Sequence, residues 1–445
     1  MEEKTLVLAA PGTVAVDALR CALPALGEHD LIDETHIRDA VALQSLISDG
    51  GYSQVLFLNP YANPHRMGLY KALRKEGIRT IAYERGALPD SWFFDRNGFL
   101  AHSTSYDNCH WDRPISAERV ERTQAWIQRL RHSNETLEKN GDRQGAEYWR
   151  RTFKIGNRRV IFVALQRPSD VATKWFGGPV GSASQFNEWM QFLASRLDKT
   201  RFALVVKKHP LESDQPNFTG AAHAPAHAHI HDLIELADKT VVINSGAGLL
   251  SLMFGKPCLV CGEAFYCKEG LAVSASSPDA LLDLAEADLT VDQEKVTRFV
   301  AYLCDEFYSF GASKYESGKS KNGDTINRVR RTDFKRITQL APEPIILGEQ
   351  PPTWSEDSFI LAAAGYKKAL PTAAKTPKVP PTPFPAWGMG KSLIHRLAKT
   401  LLGRALSEED RRRLRNNPID FFKKAKWPPN RFFGRLLLDK SQRPY

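Results

Sequence analysis

The feature that most constrains this chain is a repeated unit: a short apolar run closed by a polar or glycine turn, then a helical stretch. Residues 5–9 are apolar and β-branched and meet Pro11-Gly12. Gln-Val-Leu-Phe-Leu at 54–58 ends in Asn59-Pro60, and the run at 79–83 ends in Glu84-Arg85-Gly86. The unit recurs at 159–165, 202–206, 240–243 and 258–261. Helical spacing falls between these runs at 67–75, 184–197, 231–237 and 247–254. Alternation of this kind predicts an α/β fold with parallel sheets and helices on both faces. Such folds place ligands at the carboxyl ends of the strands.

The runs fall into two groups separated by a charged, largely helical stretch at 117–151. The expectation is two Rossmann-like β/α domains facing a cleft. Residues 1–155 form the first, with the connecting helical segment, and 156–310 the second. Strand signal weakens after 310, so 311–369 reads as a helical return segment. Six prolines between 371 and 385 make 370–388 a stiff linker. Residues 389–445 read as a basic amphipathic tail: Leu393, Leu397, Leu401 and Ala405 recur at helical spacing, opposed by Lys391, Arg396, Lys399 and Arg404.

The formal charge of +10 is unevenly placed. Residues 386–445 carry 15 Lys and Arg against 5 Asp and Glu, so the rest of the chain is near neutral. That does not describe a nucleic-acid binder, whose basic patch belongs to the folded body. A basic amphipathic helix with Trp427, Phe432 and Phe433 nearby suits an anionic membrane surface, or packs on protein. Six scattered cysteines do not form a disulfide framework. The acidic start Met-Glu-Glu-Lys lacks the basic region of a signal peptide, and no run approaches the length of a membrane span. The expected location is cytoplasmic, peripheral on the inner face of the membrane.

Several turns carry candidate chemistry. Asn244-Ser245-Gly246 opens a helix at the end of a strand, where free N–H groups and the helix dipole favour an anion; plain helix capping gives the same pattern. Lys208-His209-Pro210 leaves the 202–206 strand and offers two cations, or a cation and an imidazole, unless it is only a surface turn. Asp170 leaves the 159–165 strand after Gln166, and Glu84 leaves a strand of the other group. Two carboxylates across a cleft can serve as nucleophile and acid/base in retaining glycosyl transfer, although either alone is commonly a solvated loop acid. Cys258 and Cys261 flank two strand residues and point to opposite faces, which argues against zinc. His227, His229 and His231 alternate as on one strand face, but lack acidic partners at ligand spacing other than Asp232, which looks like a helix cap. No metal is expected.

Taken in order, Glu84-Arg85-Gly86, Gln166 to Asp170, Lys208-His209-Pro210, Asn244-Ser245 with Gly248, Gly255-Lys256-Pro257, and Gly262 to Leu271 through Phe265-Tyr266 resemble the capsule-polysaccharide synthesis family. That family includes the retaining β-Kdo transferases and the related lipid-linker Kdo transferases. The resemblance spans roughly residues 50–310 and implies a two-domain glycosyltransferase of the GT-B type with CMP-Kdo as donor and retention of configuration. By carry-over it implies Asp170 as nucleophile, Glu84 as acid/base and His209, with Lys208, at the donor. Gln166, Asn244, Ser245 and Gly246 would complete the donor site, with Tyr266 and Lys268 lining its pocket. The sequence departs from the family in Arg167-Pro168-Ser169 and in Cys267-Lys268-Glu269. The implied acceptor is lipid-linked or a glycan, with a capsule synthesis or export complex as partner. Two rivals stand beside this: a transferase of the same fold using glycerol-phosphate or a neutral sugar, and a non-catalytic assembly protein.

Overall fold

The computed structural model describes residues 4–10, 14–138, 140–212, 216–319 and 325–347, all within one compact unit, Met1–Lys368. The expected linker and basic tail lie outside the described residues.

The first region contributes β1 (Thr5–Leu8), β2 (His29–Ile32), β3 (Gln54–Leu58), β4 (Thr80–Arg85) and β5 (Ser91–Asp95). The second contributes β6 (Arg159–Ala164), β7 (Phe202–Lys207), β8 (Ala222–Ala224), β9 (Lys239–Val242), β10 (Cys258–Val260) and β11 (Val273–Ser274). The chain then forms β12 (Ser309–Lys319), β13 (Thr325–Ile337) and β14 (Ile345–Ile346). The second sheet is wholly parallel, in the order β11-β10-β9-β6-β7-β8. The first is mixed, in the order β14-β13-β12-β5-β4-β3-β1-β2. Its β2, β1, β3 and β4 run parallel, and β5 turns back antiparallel on β4.

Burial on both faces explains why the central strands are continuously apolar. Along β6, Val160 and Phe162 pack with one apolar cluster, while Ile161 and Val163 pack with another on the opposite face. Along β3, Val55 and Phe57 alternate in the same way with Leu56 and Leu58.

One expectation is corrected. Residues 311–369 do not begin as a helical return: β12 and β13 pair as a long antiparallel hairpin and rejoin the first sheet through Ser309↔Trp92. The hairpin escapes a search for apolar runs because Lys314, Glu316, Arg330 and Arg331, all exposed, interrupt it. The 117–151 stretch is largely helical, as expected, with one interruption. A helix at Ala117–His132 and another at Ala146–Thr152 are separated by an irregular segment. Among the described residues no helix is long and apolar enough to cross a membrane.

Close packing beneath the second sheet gives a direct test. A Cβ built on Gly248 would lie 2.3 Å from Tyr266 Oη and 2.7 Å from Cys258 Sγ, both in the core. Gly248→Ala is therefore expected to destabilise the fold by about 1–3 kcal/mol. A urea midpoint equal to wild type would contradict this packing.

Candidate active site

Segments from both sheet regions line one cavity of about 450 Å3, four strand ends among them. Its walls include Glu84 and Arg85 from β4, Gln166 and Asp170 after β6, Lys207, Lys208 and His209 at the end of β7, and Asn244, Ser245 and Gly246 after β9. The irregular connector contributes Glu135 and Glu138.

Glu84 is held from two sides. Its Oε1 accepts the Arg85 N–H at 2.8 Å, and the Asn59 side chain hydrogen-bonds the same carboxyl. Asn59 ends β3 with φ of 46°, and its Oδ1 accepts the Tyr61 N–H at 3.2 Å, which leaves the amide nitrogen as donor. Burial pushes the Glu84 carboxyl above the ordinary glutamate range, opposed by the Arg85 N–H and charge. The Asp170 charge pushes it further up. Asp170 is exposed. It caps the helix Val171–Trp175, accepting the Ala172 N–H at 3.2 Å.

His209 is half-buried, and desolvation lowers its pKa below the usual 6.5. Leu211 N–H donates to Nδ1 at 3.2 Å, so the neutral ring carries its proton on Nε2 and offers it as a donor. Lys207 Nζ donates to the Ala226 carbonyl at 2.9 Å, and burial, then the neighbouring Lys208 charge, pushes it down to about 8.

Ser245 caps the helix Gly246–Met253, accepting the Ala247 N–H at 3.2 Å. Asn244 and Gln166 clasp each other. Gln166 Nε2 donates to Asn244 Oδ1 at 2.7 Å, and the Asn244 N–H donates to Gln166 Oε1 at 2.8 Å. Asn244 Nδ2 spends its protons on the Ala172 and Phe176 carbonyls, at 2.9 and 2.8 Å. The second proton of Gln166 Nε2 goes to Thr173 Oγ1 at 3.3 Å. Neither amide has a proton left for a ligand. These residues fix the helix that Asp170 caps, so their expected role as donor-binding side chains is revised to positioning.

Two further expectations are corrected. Tyr266 does not line the cavity: it is fully buried, and its hydroxyl donates to the Ser245 carbonyl from beneath the turn. Lys268 does not line it either, because its amine bridges to Asp107 at 3.0 Å. The cavity carries charges of both signs. Glu84, Glu135, Glu138, Asp170 and Glu263 face Arg85, Lys207 and Lys208. Arg85 is committed to Glu138 at 2.8 Å. The cationic character is confined to the end of β7. The histidine run forms no strand face: His229 caps the helix Ile230–Leu236, and His231 lies within it. Among the described residues no group of three His, Cys, Asp or Glu side chains is arranged to hold a metal ion.

Sequence reasoning missed Asn59, Glu135 and Glu138. The signal for the two glutamates was the Ser133-Asn134 pair, which reads as a turn interrupting the helical pattern.

Residues 123–308 match the family model described as capsule polysaccharide biosynthesis protein. No curated protein matches the sequence. Among solved structures, the chain is similar to the β-Kdo 2,7 transferase of Thermosulfurimonas dismutans KpsC, with 16% identity over 74% of this chain and 96% of that one, TM-score 0.47. The β-Kdo 2,4 transferase of the same KpsC is 14% identical over 70% of this chain and 92% of that one, TM-score 0.49. A Methanocaldococcus jannaschii UDP-GlcNAc 2-epimerase is 9% identical over 68% of this chain and 99% of that one, TM-score 0.29. The match covers less than half of the chain, the stretch that supplies the second sheet, and over that stretch the chain is similar to the capsule polysaccharide biosynthesis proteins.

Proposed function

We propose that this protein is a retaining glycosyltransferase that moves Kdo, or a similar acidic sugar, from a CMP donor to a lipid-linked or glycan acceptor. One observation carries the reading. Glu84 and Asp170 belong to different sheet regions and line one cavity.

In the first step an Asp170 oxygen attacks the anomeric carbon, and the C–O bond to CMP breaks with its electron pair leaving on the phosphate. A phosphate leaving group needs no proton. Lys208, the Nε2–H of His209 and the helix start at Ser245-Gly246, all lining the cavity, would receive its charge. In the second step the acceptor hydroxyl attacks the same carbon. Its proton goes to Glu84, and the bond to Asp170 breaks. Burial raises the pKa of Glu84, which makes its carboxylate a stronger base for that proton. No metal is assigned a part in either step. The basic tail suits an anionic membrane surface, which would bring the enzyme to a lipid-linked acceptor at the inner face of the membrane.

The first test is thermal unfolding with CMP, UDP and GDP. Ligand binding to the folded state alone raises the melting temperature, and CMP is expected to raise it by a few degrees. Stabilisation by UDP or GDP without CMP would replace the donor. Silence with all three, together with no donor turnover, would favour a non-catalytic assembly protein.

A further inference from the structure

β6 and β7 lie side by side, and each ends in a turn that carries one candidate residue. Their parallel ladder runs to Ala164↔Lys207, and the Leu165 N–H still donates to the Lys207 carbonyl at 3.0 Å. Past that point the chain forms two separate turns, residues 166–170 and 208–212. Both turns are stiff. Proline follows Arg167 in the first and His209 in the second, which disfavours helical backbone at both residues. Each turn also closes on itself. The Arg167 carbonyl accepts the Asp170 N–H at 3.2 Å, and the His209 carbonyl accepts the Glu212 N–H at 3.0 Å.

A side-chain bond joins the two turns. Arg167 Nε donates to Glu212 Oε1 at 2.6 Å. These side chains are 13% and 29% exposed, so water and salt screen the pair less than one on the open surface. Neither residue is in the cavity wall, but each is hydrogen-bonded through its backbone to a residue that is. Arg167 holds Asp170, and Glu212 holds His209. Burial dominates the His209 ring, and the charges acting on it after that are those of Glu138, Arg167, Asp170 and Glu212. The Asp170 turn and the ion pair therefore both lie near this ring.

We propose that the Arg167–Glu212 ion pair is a positioning clasp, which fixes the turn carrying His209 against the turn carrying Asp170. The N–H offered to the phosphate and the attacking carboxylate then keep one spacing across the donor sugar. The assignment rests on the reading of Asp170 and His209 given above and adds two residues behind the cavity wall to it.

The test is steady-state release of CMP from CMP-Kdo by the full chain, with water serving as acceptor, together with urea unfolding of each variant. Arg167→Gln and Glu212→Gln are each expected to lower kcat by about 10- to 100-fold, the cost of a reacting group displaced by a fraction of an ångström to an ångström. KM should change far less, because neither residue touches the cavity. The double variant should be no slower than either single one, since one broken clasp cannot be broken twice. Arg167→Lys, which keeps the charge, should recover most of the turnover. Urea midpoints should stay close to wild type. Loss in Arg167→Gln with none in Glu212→Gln would mean that Arg167 acts alone on the donor, and would overturn the clasp. Losses that add in the double variant, or urea midpoints that fall in step with turnover, would overturn it as well. No CMP release by wild type overturns the donor reading and the clasp with it, whereas wild-type release with unchanged single variants overturns the clasp alone.

Discussion

Asp170→Asn is expected to reduce sugar transfer from CMP-Kdo by at least about a thousandfold while leaving the fold in place. The two halves of that expectation have separate causes. An amide oxygen is a poor nucleophile, so the first step loses the group that forms the covalent bond. The structural duty of Asp170 is to cap the helix Val171–Trp175, and Asn caps as well as Asp. Thermal unfolding should therefore be nearly unchanged. Asp170→Ala would remove the cap as well, at about 1 kcal/mol, and is the weaker test. Transfer by the Asn variant at the wild-type rate would remove the nucleophile assignment.

The second large effect is expected at Asn244. Asn244→Ala deletes three side-chain hydrogen bonds, to Gln166 and to the Ala172 and Phe176 carbonyls, and strands their buried partners. At about 1 kcal/mol for each bond, with more for groups left unsatisfied, the loss is roughly 3 kcal/mol. The damage lies beneath the helix that Asp170 caps, so transfer should fall together with stability. Urea unfolding checks it: the midpoint should drop with an unchanged slope. An unchanged midpoint would mean that the clasp does not hold the site. Loss of CMP affinity alone would return Asn244 to the donor-binding role first expected of it.

The central strands were legible because burial on both faces leaves an uninterrupted apolar signature, as in Val160–Val163 of β6. The β12–β13 hairpin was not. Exposed charged residues interrupt it, and its register, Phe310↔Arg336, joins residues far apart in sequence. The strand-end turns marked where the cavity would be, and eight of the ten expected site residues line it. Their roles were less legible. Asn244 and Gln166 look like ligand donors until their mutual hydrogen bonds, 78 residues apart in sequence, exhaust their protons. Tyr266 looks like a pocket residue until the Ser245 carbonyl takes its hydroxyl. Glu135 sits in an ordinary polar stretch. Its place in the cavity wall comes from segments that only the fold brings together.

The account as a whole turns on a bond between the sugar and one aspartate. Intact-protein mass spectrometry after brief mixing with CMP-Kdo, with no acceptor present, tests it most directly. Wild type is expected to gain the mass of one sugar, mapped by peptide analysis to Asp170, and Asp170→Asn is expected to gain none. Release of CMP with no sugar retained on the wild-type protein, or a sugar found on another residue, would contradict the account.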